Sequence, residues 1–301
     1  MFLLQQPVLA GSGLGIKIVS FREEFRTFIS SASGAAPEAQ ISAWLELEKK
    51  LPQGLPNFIL GARGAGLEAA RRAAIPDYVD RITPHRDEVL RMFSAGPPAV
   101  RHAEERFGEF FPDFRPDITV YFIPSFFRVG GYANAKAGGI LFGPDTLAIL
   151  LGDKVSLPVV VAHELSHLYL SSHSSDGEST MAASLWSEGG ATYISSLVYP
   201  EASGPDLLLD QELGERCSDP KYAGALAREA RPLLKSLLDS PKIAPTWFNK
   251  RPRRGCCLGF RAFSLLAARH PLAEMAGWSQ QRYSAELDSA LKELARAAPK
   301  P

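Results

Sequence analysis

A chain of 301 residues, 46% of them hydrophobic and 22% charged, can bury a sizeable core, and its composition excludes disordered, collagenous and low-complexity architectures. Lys and Arg number 33 and Asp and Glu number 33, so no overall field draws the protein to nucleic acid or to an anionic membrane. The three cysteines, Cys217, Cys256 and Cys257, are too few to brace such a chain with a disulfide framework, and cytoplasmic localisation is the expectation they carry.

The N-terminal run MFLLQQPVLAGSG has a small-residue exit at Ala10, but Gln5 and Gln6 interrupt it and no basic residue precedes it, as a secretory signal would require. Residues 1–115 then read as a mostly helical region. Pro37 opens an amphipathic stretch with Ile41, Trp44, Leu45 and Leu47 on its apolar side, and a loop rich in Pro and Gly from Pro52 to Gly66 follows. Helices are expected near 76–95 and 97–111, as a scaffold for a core further on.

The texture changes at Pro116. Residues 118–123 (ITVYFI) are β-branched and aromatic, and after a glycine turn at Gly130 and Gly131 a second strand is expected over 139–142 (GILF), giving a small antiparallel or mixed sheet. The most hydrophobic region, 147–170, is broken by Asp153, Lys154, His163 and Glu164, which argues against a membrane span. Ser156 as N-cap and Pro158 in the first turn predict a helix from Leu157 to about Ser172. A loop at 174–177 leads to a second helix over about 180–198, which Pro200 stops. Residues 116–200 are thus the expected core. Residues 201–301 read as helical, near 219–239, 255–269 and 279–297, and as one compact unit with that core. Lys250, Arg251, Arg253 and Arg254 are expected in a solvated loop, and Cys256 and Cys257 as packing residues of an apolar helix.

His163, Glu164 and His167 form H-E-L-S-H on the first of the two central helices. Residues four apart lie one turn apart on one face, so two imidazoles can share a cation, while the glutamate between them projects toward a metal-bound water. Zinc suits neutral nitrogen ligands, and with three protein ligands it retains an open position where the pKa of water falls to about 7. Valines 159–161, Leu165 and Leu168 surround the triad, and burying two imidazoles and a carboxylate among them is costly without a partner such as a metal.

Two residues can supply the third ligand. Glu188 lies in L-W-S-E-G-G-A-T-Y (185–193), 21 positions after His167, where an antiparallel second helix returns to the metal; His173 completes an H-E-x-x-H-x-x-x-x-x-H spacing, with Met181 available as a Met-turn residue. H-E-x-x-H followed about twenty residues later by W-x-E-G-x-A-x-Y resembles the gluzincin metallopeptidases, the thermolysin-like and aminopeptidase-like clan, and within it bacterial families of zinc-dependent proteases. The resemblance implies His163, His167 and Glu188 as zinc ligands and Glu164 as general base. Leu170 stands where the His173 pattern needs a glycine to end the helix sharply, which favours Glu188. Where thermolysin has an acid to orient a ligand histidine, this chain has Thr192, whose hydroxyl can hold an imidazole N–H but adds no charge. Gly189 and Gly190 are expected to let the second helix approach the first.

Amide hydrolysis at such a centre also needs a donor for the oxyanion. Tyr193 is the nearest candidate, with Tyr132, Arg261 and His270 behind it. By the same resemblance, strand 139–142 is the sheet edge on which an extended substrate would lie. The sequence therefore predicts an α+β protein with a thermolysin-like zincin core, a Zn2+ cofactor and peptide or protein substrates, acting as a metallopeptidase. The alternatives are ligation by His173, or a non-catalytic binding module with structural zinc.

Overall fold

The computed structural model describes residues 15–134, 139–152, 156–173, 177–241, 243–249 and 252–297; the N-terminal apolar run falls outside them. The fold is α+β, mostly helical, with one four-stranded mixed sheet. No helix among the described residues is long and apolar enough to cross a membrane. The chain packs as two compact units, the first comprising residues up to His102 with Arg115–Leu157, the second Ala103–Phe114 with Pro158 onward. The sequence reading instead groups the strands with both central helices over 116–200. The strands belong to the first unit, and the two helices pack with the C-terminal helices.

In the first unit the strands are β1 (Lys17–Ser20), β2 (Thr119–Phe122), β3 (Gly131–Asn134) and β4 (Gly139–Phe142), in the order β1-β2-β4-β3. β1 pairs parallel to β2 and β2 to β4, whereas β3 runs antiparallel to β4. Ile18, Val120 and Ile140 align across three strands and are buried, as period-two alternation requires of one face. Three expectations change here. β1 lies in the stretch read as helical, because a four-residue strand gains its stability from a partner 102 residues away rather than from local periodicity. Gly131 begins a strand rather than a turn. β4 has neighbours on both sides, so it is not an edge open to an extended substrate.

The helices of this unit are α1 (Arg22–Ala32), α2 (Pro37–Glu48), α3 (Leu55–Leu60, inside the expected loop) and α4 (Gly66–Ile82), with α6 (Pro144–Leu151) after β4, while α5 (Arg86–Phe110) belongs to it up to His102 and from Ala103 to the second unit. α5 runs continuously through Pro97 and Pro98, where a break is expected. Each proline removes a backbone hydrogen bond, but Val89, Phe93, Val100, Ala103 and Phe107 form a buried face that sustains the helix. Gly96 permits its seat on the sheet, since a Cβ there would lie 2.2 Å from the ring of Phe122.

The second unit contains α7 (Leu157–His173), α8 (Met181–Val198), α9 (Gly204–Leu208), α10 (Gln211–Cys217), α11 (Pro220–Ala230), α12 (Arg254–Ala267), α13 (Leu272–Ala276) and α14 (Gln280–Ala297). α11 ends earlier than the expected 239, because Arg231–Leu233, with Pro232, tighten into a 3-10 turn. Met181, Leu185, Trp186, Trp247, Leu258, Phe263 and Trp278 form the core, and Trp186 stacks on Tyr283 at 5.1 Å. α8 and α12 cross with their backbones touching, because Gly189 and Gly259 oppose each other. Cys217 and Cys257 form a disulfide, Cα–Cα 5.7 Å, from the end of α10 to the first turn of α12. Cys257 is therefore a cross-link rather than a packing residue, while Cys256 is free and buried.

A candidate metal centre on two helices

α7 buries Val159, Val160, Val161, Leu165, Leu168 and Leu170, which fixes the helix and leaves His163 and His167 half-buried one turn apart. Their Nε2 atoms lie 3.1 Å from each other, with the ring planes at 85°. α8 starts at Thr180, whose hydroxyl accepts from the Ala183 amide, and presents Glu188 two turns later. Glu188 Oε2 lies 3.5 Å from His163 Nε2, and Oε1 lies 3.7 Å from His167 Nε2. One ligand atom from each of the three residues fits within 4.8 Å of the others, a group able to hold a metal ion. Bonds of about 2.0–2.1 Å in a tetrahedron place neighbouring ligand atoms about 3.3 Å apart. The two Nε2 atoms, 3.1 Å apart, stand close to that value, and Glu188 brings one carboxylate oxygen to 3.5 Å from His163 and the other to 3.7 Å from His167, so the three side chains converge on a space of the size a small divalent cation needs.

The protonation states also suit a ligand set. Burial opposes ionisation of Glu188, but hydrogen bonding to His163 and the fields of His167, His163 and Arg253 outweigh it and hold the carboxyl well below the usual carboxylate range. Burial is the largest influence on His167 and lowers its pKa, against the raising fields of Glu188 and Glu164, so the ring stays neutral at neutral pH. A neutral imidazole and an ionised carboxylate are the forms that bind metal.

Glu164, on the same helix, is 7% exposed, and its field reaches His167 and Arg253. Behind His167 stands a residue that sequence reasoning missed: Ser187 Oγ lies 2.9 Å from His167 Nδ1. Its signal was its place beside the candidate ligand Glu188. Thr192, the expected partner of a histidine, instead donates to the Glu188 backbone carbonyl at 2.8 Å. His163 Nδ1 is buried with no hydrogen-bond partner among the described residues.

α12 also meets the site, which no motif suggested. The Cys256 thiol donates to Glu188 Oε2 at 3.4 Å. Arg253 is half-buried, and Arg254 pairs with Glu229 and lies over the Trp247 ring at 4.6 Å, so this part of the basic run is packed rather than solvated. Lys250 and Arg251 lie outside the described residues.

The other candidates are placed as follows. α7 continues through His173, whose ring turns back to its own helix, Nδ1 2.8 Å from the Tyr169 carbonyl oxygen. The group able to hold a metal contains Glu188 and not His173. Gly190 does face α7, since a Cβ there would lie 2.6 Å from the Leu170 side chain, but Gly189 faces α12 rather than α7. Tyr193 packs on Phe263 at 5.5 Å, His270 lies edge-on to Trp278 at 5.0 Å, Arg261 is half-buried on α12, and Tyr132 belongs to the first unit, stacked on Phe58. No family model, curated protein or solved structure matches the chain.

Proposed function

We propose that the protein is a zinc-dependent hydrolase of the gluzincin kind, with a thermolysin-like arrangement of its two metal helices, and that it cleaves peptide bonds. The observation that carries this reading is the convergence of His163, His167 and Glu188 within 4.8 Å, with a buried glutamate next to the first histidine. Two imidazoles and one carboxylate suit zinc among divalent ions, and three ligands make a catalytic rather than a closed structural set. When bound there, zinc polarises a carbonyl and acidifies water. In this reading Glu164, next to His163 in sequence, would accept the proton of the attacking water and deliver it to the leaving nitrogen. A structural site has no use for an acid at that position. Ser187 holds His167 in one ring orientation. The Cys217–Cys257 bridge supports an oxidising compartment over the cytoplasm expected from the cysteine count.

The test is zinc content and peptide hydrolysis measured on the same preparations, with a mixed peptide library read by mass spectrometry. Glu164→Gln should retain zinc and lose about 10²–10⁴ in rate. Glu188→Ala should lose zinc, and His173→Ala should keep both. Loss of the ion from His173→Ala, with Glu188→Ala still loaded, refutes the ligand assignment.

A further inference from the structure

We propose that the first turn of α12 is the outer support of the metal centre, and that the Cys256 thiol is a positioning residue for Glu188. This rests on the reading of Glu188 as a metal ligand. A carboxylate that gives one oxygen to a metal leaves the other needing a donor if it is buried. Among the described residues Cys256, 3% exposed, donates to Glu188 from outside the histidine pair, Sγ to Oε2 at 3.4 Å.

Three features fix that thiol. α12 is seated on α8 at the Gly189–Gly259 crossing, one helical turn beyond Cys256. The neighbouring Cys257 is tied to Cys217. Arg253, three residues before Cys256, anchors the start of the helix through Nη2 to the Leu208 carbonyl oxygen at 3.4 Å and adds a cationic field at Glu188. An apolar side chain of similar size would fill the same space and leave the Glu188 oxygen without its donor. A serine would keep the donor. Ligands held by such outer partners bind metal more tightly, and removing the partner typically costs about 10–100-fold in affinity.

The experiment is zinc affinity by chelator competition on full-length wild type, Cys256→Ala and Cys256→Ser, with the visible and near-ultraviolet spectra of the cobalt(II) forms. Cys256→Ala should weaken zinc binding about 10–100-fold, while Cys256→Ser stays within a few-fold of wild type. Wild-type cobalt protein should show no thiolate-to-cobalt charge-transfer band, because the sulfur donates to the carboxylate and does not ligate. Wild-type affinity in Cys256→Ala overturns the proposal, as does equal weakening in both variants, which would mark a packing effect. A charge-transfer band that Cys256→Ser abolishes also overturns it, by making the sulfur a ligand. Should Cys256→Ala fail to fold by circular dichroism, the serine variant and the cobalt spectrum decide. Failure of wild type to bind any divalent ion would instead sink the metal centre itself, a distinct result.

Discussion

The crossing of α8 and α12 makes Gly189→Ala the sharpest test of how the site is assembled. A Cβ at Gly189 would lie 2.3 Å from both the carbonyl carbon and oxygen of Gly259 and 2.8 Å from its Cα, where ordinary contact begins at 3.4 Å. These are backbone atoms, so no side chain can rotate away and the helices must part by about 1 Å. Overpacking of this kind costs about 1–3 kcal/mol, and the better helix propensity of alanine returns about 0.5–1 kcal/mol of it. The net loss, about 1 kcal/mol at the middle of these ranges, lowers the melting midpoint by about 2–4 °C for a unit of this size. Because Cys256 rides on α12, zinc affinity should fall in the same variant. Gly66→Ala is the control: a Cβ there meets nothing within 4 Å, and its midpoint should be unchanged or slightly raised. Thermal and urea unfolding followed by circular dichroism, with chelator competition, give both readouts. A Gly189→Ala protein as stable as wild type refutes the close crossing.

Two further outcomes are expected. The Cys217–Cys257 bridge closes a separation of 40 residues, which on the chain-entropy account contributes about 4 kcal/mol, so Cys217→Ser should melt well below wild type. Thiol titration of the denatured, unreduced protein should find one free sulfhydryl; three would refute the bridge. On acidification the metal-free protein should lose stability in two overlapping steps. His167 is depressed from 6.5 by burial, so the unfolded chain takes up its proton first and the contribution present above about 6.5 declines as pH falls. Glu188 is held below its ordinary value, so its contribution, present above about 4.3, is lost further into the acid range. Melting midpoints measured from neutral to acid pH in the presence of a chelator would contradict this by staying flat, or by falling equally in Glu188→Gln.

What could be read from the chain beforehand follows the range of the interactions. H-E-x-x-H sits on a helix for reasons confined to one turn, and both α7 and α8 fall within a residue or two of their expected limits. Leu170 carried equally local information: without a glycine the helix runs on, and His173 leaves with it. The pairing of β1 with β2, the Cys217–Cys257 bridge and the contact of Cys256 with Glu188 join residues 102, 40 and 68 positions apart, and no periodicity encodes them. Gly259 shows the limit well. In sequence it is one glycine inside an apolar helix, a local cost; only against Gly189 does it become the surface on which α8 rests.

That surface explains why S-E-G-G stands where it does. Successive helical residues point about 100° apart, so four in a row face four directions. Ser187 meets His167, Glu188 the histidine pair and the Cys256 thiol, Gly189 the α12 backbone, and Gly190 the side chains of Leu170 and Phe263. One turn of α8 thus joins α7 and α12 while holding the acid between them. The two glycines fix the helix on both sides, and that fixes the Glu188 Cα. A side chain's directional precision depends on how little its own backbone can move, so under the proposed metal reading the residues that would not touch the ion set the accuracy with which Glu188 would reach it. The small side chains next to the glutamate are part of the site's chemistry as much as the carboxylate is.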